Sequence, residues 1–301
     1  MTHCGMAWGP FTALARHLAV LLVLGLPVQT TAAEIGDLFR SMVFLRQVRT
    51  NLNITPKETN EVWLKSVFTG ELKPQTSVSS GSGSLFVFSN RLYLVTARHV
   101  ATSMGLSSEM VLGESKRPVV RSLARLSRVS NQIPWIHHKA ADVSILRLLP
   151  SDQDLDDLFR VWSLPATILA THAVSPPRDV PLTVFGFPFG LGVYPEHSPI
   201  SRASRCASGL VEMPEDSASQ RPRRTIFFLE DPSISGFSGA PVVHLNAPLR
   251  GPGYTLGSGP ATCYGFVSAT VSDETGGKLA EIVPSSQVFE LLVSDLSASP
   301  N

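Results

Sequence analysis

Short runs of β-forming residues recur along this chain in two series, and that rhythm narrows the possible folds more than any other feature. The first series comprises Ser41-Met42-Val43-Phe44-Leu45-Arg46-Gln47-Val48 and runs at 84–89, 92–97, 118–123, 133–136 and 143–149. The second comprises runs at 182–186, 205–212, 224–230, 240–244, 263–271 and 279–283. Runs of this length, broken by turn residues, read as strands. The 23 prolines and 22 glycines suit many short strands joined by turns rather than long helices. Residues 165–181, with Pro176 and Pro177 inside them, form the crossing between the series, because proline holds a segment extended and denies it ladder hydrogen bonds. Residues 50–80 are polar and read as a surface excursion. Asn53-Ile54-Thr55 matches a glycosylation acceptor, but Pro56 follows it and the match is treated as noise. Asp152-Gln153-Asp154-Leu155-Asp156-Asp157 reads as a solvated acidic loop, and residues 215–224 as a mobile hairpin loop. Val288, Leu291, Leu292 and Leu296 fall on one face of a terminal helix, which Ser285 or Ser286 can cap.

The first 33 residues carry a different signal. Arg16 and His17 precede the apolar run Leu18-Ala19-Val20-Leu21-Leu22-Val23-Leu24-Gly25-Leu26, and Thr31-Ala32-Ala33 follow it. A basic end, a short apolar stretch and small residues before Glu34 are the parts of a secretory signal peptide. The run falls short of the ~20 residues that span a bilayer, and no later segment is apolar enough to be a span. The expectation is an exported chain, periplasmic or secreted, with no membrane span once residues 1–33 are removed; the alternative is that this segment stays as an uncleaved anchor. A net charge of +1 gives no basic field of the kind that binds nucleic acid. Of three cysteines, Cys4 leaves with the leader; export permits a bridge between Cys206 and Cys263.

Chemistry concentrates in three strings. Ser235-Gly236-Phe237-Ser238-Gly239-Ala240-Pro241-Val242-Val243 bends the backbone tightly around a serine, and its glycines allow a substrate carbonyl to approach closely. Val95-Thr96-Ala97-Arg98-His99-Val100 and Ala141-Asp142-Val143-Ser144-Ile145 precede it, so His, Asp and Ser occur in the order of a Ser-His-Asp triad. A serine hydroxyl is a poor nucleophile at neutral pH and needs an adjacent base. Imidazole suits that role near pH 7, and a carboxylate behind it holds the tautomer and stabilises the imidazolium. His137, His138, His172, His197 and His244 read as core or surface residues. His137-His138 with Asp142 makes a poor metal set, because adjacent strand residues face opposite ways. No metal and no cofactor is expected. The zinc-peptidase His-Glu-x-x-His and the hydrolase Gly-x-Ser-x-Gly are both lacking.

These strings resemble those of the trypsin/chymotrypsin-like serine peptidases, most closely the protease domain of the bacterial high-temperature-requirement proteases. Gly81-Ser82-Gly83-Ser84-Leu85-Phe86-Val87 with Leu94-Val95-Thr96-Ala97-Arg98-His99 is similar to the family's glycine-serine-glycine strand and histidine motif. Asp142-Val143-Ser144-Ile145-Leu146 is similar to the aspartate motif. Phe185-Gly186-Phe187-Pro188-Phe189-Gly190-Leu191-Gly192 resembles the segment opening the second barrel. Gly236-Phe237-Ser238-Gly239-Ala240-Pro241 resembles the nucleophile motif, with Ala240 where a second glycine is usual. The spacings fit, at 142 − 99 = 43 and 238 − 142 = 96 residues, and the match runs from about 40 to 296. An appended peptide-binding domain is not expected.

The resemblance implies an all-β fold of two six-stranded antiparallel Greek-key barrels with a C-terminal helix and the active site between the barrels. The implied division is an N-terminal barrel at 34–164, a linker at 165–181, a C-terminal barrel at 182–284 and a helix and tail at 285–301. Cys206 and Cys263 then fall on strands that are not neighbours, so two buried free thiols are expected. The implied function is a serine endopeptidase acting on protein or peptide substrates, with His99, Asp142 and Ser238 catalytic and the backbone N–H groups of Gly236 and Ser238 as oxyanion hole. The alternative is a binding or scaffolding protein on the same fold. Phe237 replaces the aspartate that receives a freshly cut N-terminus in zymogen-type relatives, so that switch is absent. Six residues before Ser238, the floor of the primary pocket falls at Pro232 and Ser233, with Ser268, Ala269 and Thr270 as a wall. An uncharged floor favours cleavage after small or medium apolar residues; a one-residue slip to Asp231 would overturn this.

Overall fold

The computed structural model describes residues 35–50, 76–114, 117–151, 153–215, 222–245, 249–251, 254–256 and 261–298. The leader, the glycosylation string and most of the excursion at 50–80 lie outside the described residues. The first sheet contains β1 (Met42–Thr50), β2 (Thr76–Phe88), β3 (Arg91–Thr96), β4 (Glu109–Glu114), β5 (Arg117–Ser122), β6 (Ile136–His137) and β7 (Ser144–Leu148). They run antiparallel in the order β5-β4-β1-β2-β3-β7-β6, and the two-residue β8 (Leu164–Pro165) pairs with β2 in parallel. The second sheet orders its strands β10-β9-β13-β16-β17-β12-β11. Here β9 is Leu182–Gly186, β10 Ile200–Ser204, β11 Val211–Met213, β12 Arg224–Leu229, β13 Pro241–His244, β16 Thr262–Ser272 and β17 Lys278–Pro284. A separate hairpin joins β14 (Leu249–Gly251) and β15 (Tyr254–Leu256). Neither sheet closes on itself through hydrogen bonds among the described residues.

Strand alternation explains the two-sided burial. Along β3, Leu92 and Leu94 pack with Leu85, Met110, Leu146 and Leu148 inside the first sheet. Tyr93 and Val95, pointing the other way, join Phe185, Phe187, Val243, Phe266 and Val283 of the second sheet. The interior of the second sheet is held by Leu182, Phe227, Leu229, Val242, Val267 and Ile282. A strand buried on both faces reads as a continuous apolar run, which is how β3 appears.

Among the described residues five α-helices decorate this frame: α1 (Ile35–Ser41), α2 (Arg98–Ser103), α3 (Leu123–Leu126), α4 (Gln153–Trp162) and α5 (Ser285–Ala298). The terminal helix forms as its apolar spacing predicts, burying Val288, Leu291 and Leu292. It also ties back to the first sheet, where Tyr93 Oη donates to Asp295 Oδ2 (2.8 Å). No helix among the described residues is long and apolar enough to cross a membrane.

Several expectations are corrected. Residues 153–157 of the acidic string open α4 rather than a loop, because Leu155, Phe159 and Trp162 give it an apolar face and early acidic residues suit a helix N-terminus. The run at 205–212 is replaced by β10 and β11 on either side of Cys206, and β4 adds a strand. Together with the very short β6 and β8, these bring the strand counts to eight and seven rather than six each. The cysteines, by contrast, stand as expected: Cys206 and Cys263 are both buried and free.

Candidate active site

His99 stands at the start of α2, directly after β3, and Asp142 in the turn before β7. Since β3 and β7 are paired neighbours, with Thr96 opposite Ser144, the two residues project from the same end of the sheet. His99 Nδ1 lies 2.7 Å from Asp142 Oδ2, and His99 N donates to Asp142 Oδ1 at 2.9 Å. A carboxylate only accepts, so Nδ1 carries the proton and Nε2 is left as the basic nitrogen. Burial works to raise the Asp142 carboxyl, but the hydrogen bonds and charge of His99, with the Ser268 hydroxyl, outweigh it and hold the group below the usual carboxylate range. The neighbouring His138 braces the turn that presents Asp142, since its Nδ1 accepts from Ala141 N (2.9 Å) and its Nε2 faces Glu290 (3.3 Å).

Ser268 was expected on the pocket wall; instead its hydroxyl donates to Asp142 Oδ2 at 2.7 Å. The register of β16 against β17 slips between Val267 and Ala269, so Ser268 is the extra residue of a bulge. A bulge leaves one residue out of the ladder, bends the strand there and re-aims that residue's side chain. The resemblance that supplied the wall could not show this.

The serine loop is fixed by a second centre, Ser82 on β2, which is fully buried. Ser82 N donates to Ser238 O (2.9 Å), Ser82 Oγ donates to Gly236 O (2.6 Å), and Phe187 N donates to Ser82 Oγ (2.9 Å). Gly239 N is bonded to Val267 O (2.8 Å), and a side chain at Gly239 would run into Ser82 O, Thr96 Oγ1 and Ala97 N. The loop therefore lies against the backbone that leads into His99. A side chain at Gly81 would meet Val100 at 2.7 Å and Ser238 O at 3.2 Å, so Ser238 and the residue after His99 are close neighbours. Ser238 Oγ makes no hydrogen bond to His99 among the described residues. His99 and Asp142 are paired, and Ser238 is set beside them with its own contact open.

The Ser235–Gly236 peptide has a defined direction. Ser235 O accepts from Phe189 N (2.8 Å), so the trans peptide turns Gly236 N–H the other way. Gly236 N and Ser238 N have no acceptor among the described residues. Gly236 adopts φ 98°, and a Cβ there would sit 2.5 Å from Phe187 O and 2.8 Å from Phe189 N, so only glycine fits. Phe237 turns into the second sheet's interior at 2% exposure, an apolar plug with no carboxylate.

Next to this loop a small cavity is lined by Leu229, Pro232, Ser233, Val267 and Ala280, among others. Thr270 Oγ1 donates to Ser233 O (3.0 Å), joining the expected wall to the expected floor. Asp231 is engaged by Arg202, whose Nη2 lies 3.4 Å from Asp231 Oδ1 while Nη1 donates to Pro232 O (2.8 Å). Sequence reasoning missed Arg202 altogether, since it lies in a strand of few β-formers. Ala269 is half-buried on β16 across from Glu281.

No protein-family model and no curated protein matches the chain. Solved structures do. The chain is similar to the Rv3671c protease from M. tuberculosis in its active form, with 14% identity, 86% of this chain and 82% of that one covered, and a TM-score of 0.50. An inactive form of that protease matches at 12% identity over 91% and 95%, with a TM-score of 0.48. The HtrA-type protease AlgW with a decapeptide matches at 11% identity over 88% and 68%, with a TM-score of 0.45. Taken with the paired antiparallel sheets and the helix that closes them, the first of these likenesses shows that the chain has the fold of the trypsin-like serine proteases.

Proposed function

We propose that this chain is an exported serine endopeptidase in which Ser238 is the nucleophile, His99 the general base and Asp142 its orienting carboxylate. The observation that carries the reading is the His99 Nδ1–Asp142 Oδ2 contact at 2.7 Å, which leaves Nε2 as a base beside the serine loop. In this mechanism Nε2 takes the Ser238 proton as Oγ attacks the scissile carbonyl. Asp142, held as carboxylate chiefly by His99 with the Ser268 hydroxyl adding to it, stabilises the imidazolium. The developing oxyanion is received by Gly236 N–H and Ser238 N–H, each such donor being worth roughly 100- to 1,000-fold in turnover. His99 then returns the proton to the leaving amine, and water repeats the sequence on the acyl-enzyme.

Arg202 bears on specificity. Its guanidinium already answers the Asp231 charge, so a lysine or arginine side chain entering the pocket finds no free carboxylate, and burying an unpaired cation is costly. The reading is cleavage after small or medium apolar residues, with Pro232, Ser233, Ala269 and Thr270 around the side chain. Residues 1–33 are proposed as the leader, residues 34–164 and 182–284 as the two barrels, and 165–181 as the linker between them. The open Ser238–His99 contact is the one observation that favours the alternative of a catalytically silent binding module.

A fluorophosphonate probe tests the central claim. Labelling that is abolished in Ser238→Ala supports it, with turnover falling on the order of a millionfold in the variant. A folded protein that never labels would establish the binding-module reading instead. A peptide-library digest dominated by cleavage after Lys or Arg would refute the pocket assignment alone.

A further inference from the structure

At the far end of β3 from His99, four arginines drawn from four parts of the first sheet line one groove. Arg91 opens β3, Arg128 follows α3, Arg147 lies on β7 and Arg160 on α4, with Asn90 and Asp156 among them. Five residues of strand, roughly 16 Å, separate Arg91 from Thr96, so the groove is remote from the candidate active site.

Two of these charges are answered. Arg160 Nε is bonded to Asp156 Oδ2 (2.6 Å), and Arg91 Nη1 lies 3.6 Å from Asp295 Oδ2. The other two have no ion-pair partner among the described residues. Arg128 donates to Leu149 O (3.1 Å) and Pro150 O (2.7 Å), and neutral carbonyls hold the guanidinium in place without cancelling its charge. Arg147 is half-buried between Leu146 and Leu148, opposite Tyr93 on β3, and its side chain makes no hydrogen bond or ion pair among the described residues. Arg160 is also fastened, by Nη1 to Asn90 O (3.0 Å) and Oδ1 (2.9 Å). Among the described residues the groove thus offers two charges without an ion-pair partner beside fixed guanidinium forks, in a chain whose net charge is only +1.

We propose that this groove is a binding site for a phosphate group. Planar guanidinium forks match the oxygens of an oxyanion two at a time, and two unanswered charges suit a dianion better than a single carboxylate. Prior fixing of Arg128 and Arg160 lowers the ordering cost of capture. The group can come from a soluble phosphate ester or from a lipid headgroup; both present the same chemistry.

Calorimetric titration of the full chain with inorganic pyrophosphate at low salt is the test, with chloride of equal ionic strength as control. Saturable binding that weakens at least about tenfold in Arg147→Glu is expected, because charge reversal places a carboxylate where an oxyanion must sit. Arg147 has no bond to lose, so the variant should melt with the parent and keep its active-site labelling. A second variant, Arg128→Glu, should weaken binding as well. Co-sedimentation with phosphatidylglycerol vesicles, lost in Arg147→Glu, would identify a lipid source; pyrophosphate binding without vesicle binding would identify a soluble one. Absence of saturable pyrophosphate binding, or equal binding by parent and Arg147→Glu, would overturn the proposal.

Discussion

Ser82→Ala removes one oxygen atom that two buried backbone groups depend on. Ser82 Oγ donates to Gly236 O at 2.6 Å and accepts from Phe187 N at 2.9 Å, at a residue with 0% exposure. Loss of that oxygen leaves a carbonyl and an amide without partners, each costing about 1–3 kcal/mol. The expected destabilisation is therefore about 2–6 kcal/mol, set against a total of about 5–15 kcal/mol for a domain. The variant should fold and melt earlier. The larger consequence is local. Freed of its clamp, the Gly236 peptide can turn, and the loss of one oxyanion donor costs about 100- to 1,000-fold in the limit. Part of the population should keep the Ser235 O–Phe189 N bond, so a fall in kcat of about 10- to 100-fold with little change in KM is expected. The assay is the rate of fluorophosphonate labelling well below the melting transition, together with peptide turnover. A variant that melts earlier but labels at the parental rate would show that Ser82 braces the fold and not the oxyanion hole. A parent that does not label would instead refute the proposed function.

Three further outcomes are expected. Among the described residues His197 has no side-chain hydrogen-bond partner; it is buried against the Phe187 ring, and burial lowers its pKa from 6.5 to about 4. Below pH 6.5 the unfolded chain binds a proton that the folded chain refuses, so up to about 3 kcal/mol of stability should be lost between pH 6.5 and 4. Urea midpoints in His197→Leu should show a shallower loss over that range, and parallel curves would contradict the reasoning. Glu281 and Arg224 form a buried bidentate pair at 3.1 and 3.1 Å, so Glu281→Ala should cost about 3–5 kcal/mol and Glu281→Leu with Arg224→Met much less. Equal urea midpoints for the single and double variants would count against it. Burial pushes the Cys263 thiol up to about 12 and the Cys206 thiol above its ordinary value, so a thiol reagent at pH 8 should modify neither until denaturant is added.

Much of this was legible in the chain. The strands at 182–186, 224–229 and 262–272 follow from dense β-formers, and α5 from its apolar spacing. What escaped was set by partners rather than by local preference. Ile200-Ser201-Arg202-Ala203-Ser204 has little strand character of its own and is a strand because β9 supplies the ladder. The acidic run before Trp162 drew attention away from an apolar face at Leu155, Phe159 and Trp162, a signal that was present and outweighed. In the site, His99 and Asp142 could be read from motif order. The turn of Ser268 toward Asp142 depends on a bulge that sequence alternation cannot register, and the brace at Ser82 depends on a loop more than 150 residues away.

Those distant bonds bear on how the molecule assembles. The ties Ser82–Gly236, Asp142–Ser268 and Tyr93–Asp295 span 154, 126 and 202 residues. Closing such loops precedes any reward from them, and β-folds built on non-local pairs fold in milliseconds to seconds. Secondary structure should therefore return early on dilution from denaturant, and reactivity of Ser238 late, in step with docking of the two sheets. His99 and Asp142 lie on the first sheet's side and Ser268 on β16, so on the proposed function labelling of Ser238 should appear only after both halves of the chain have been made and have docked.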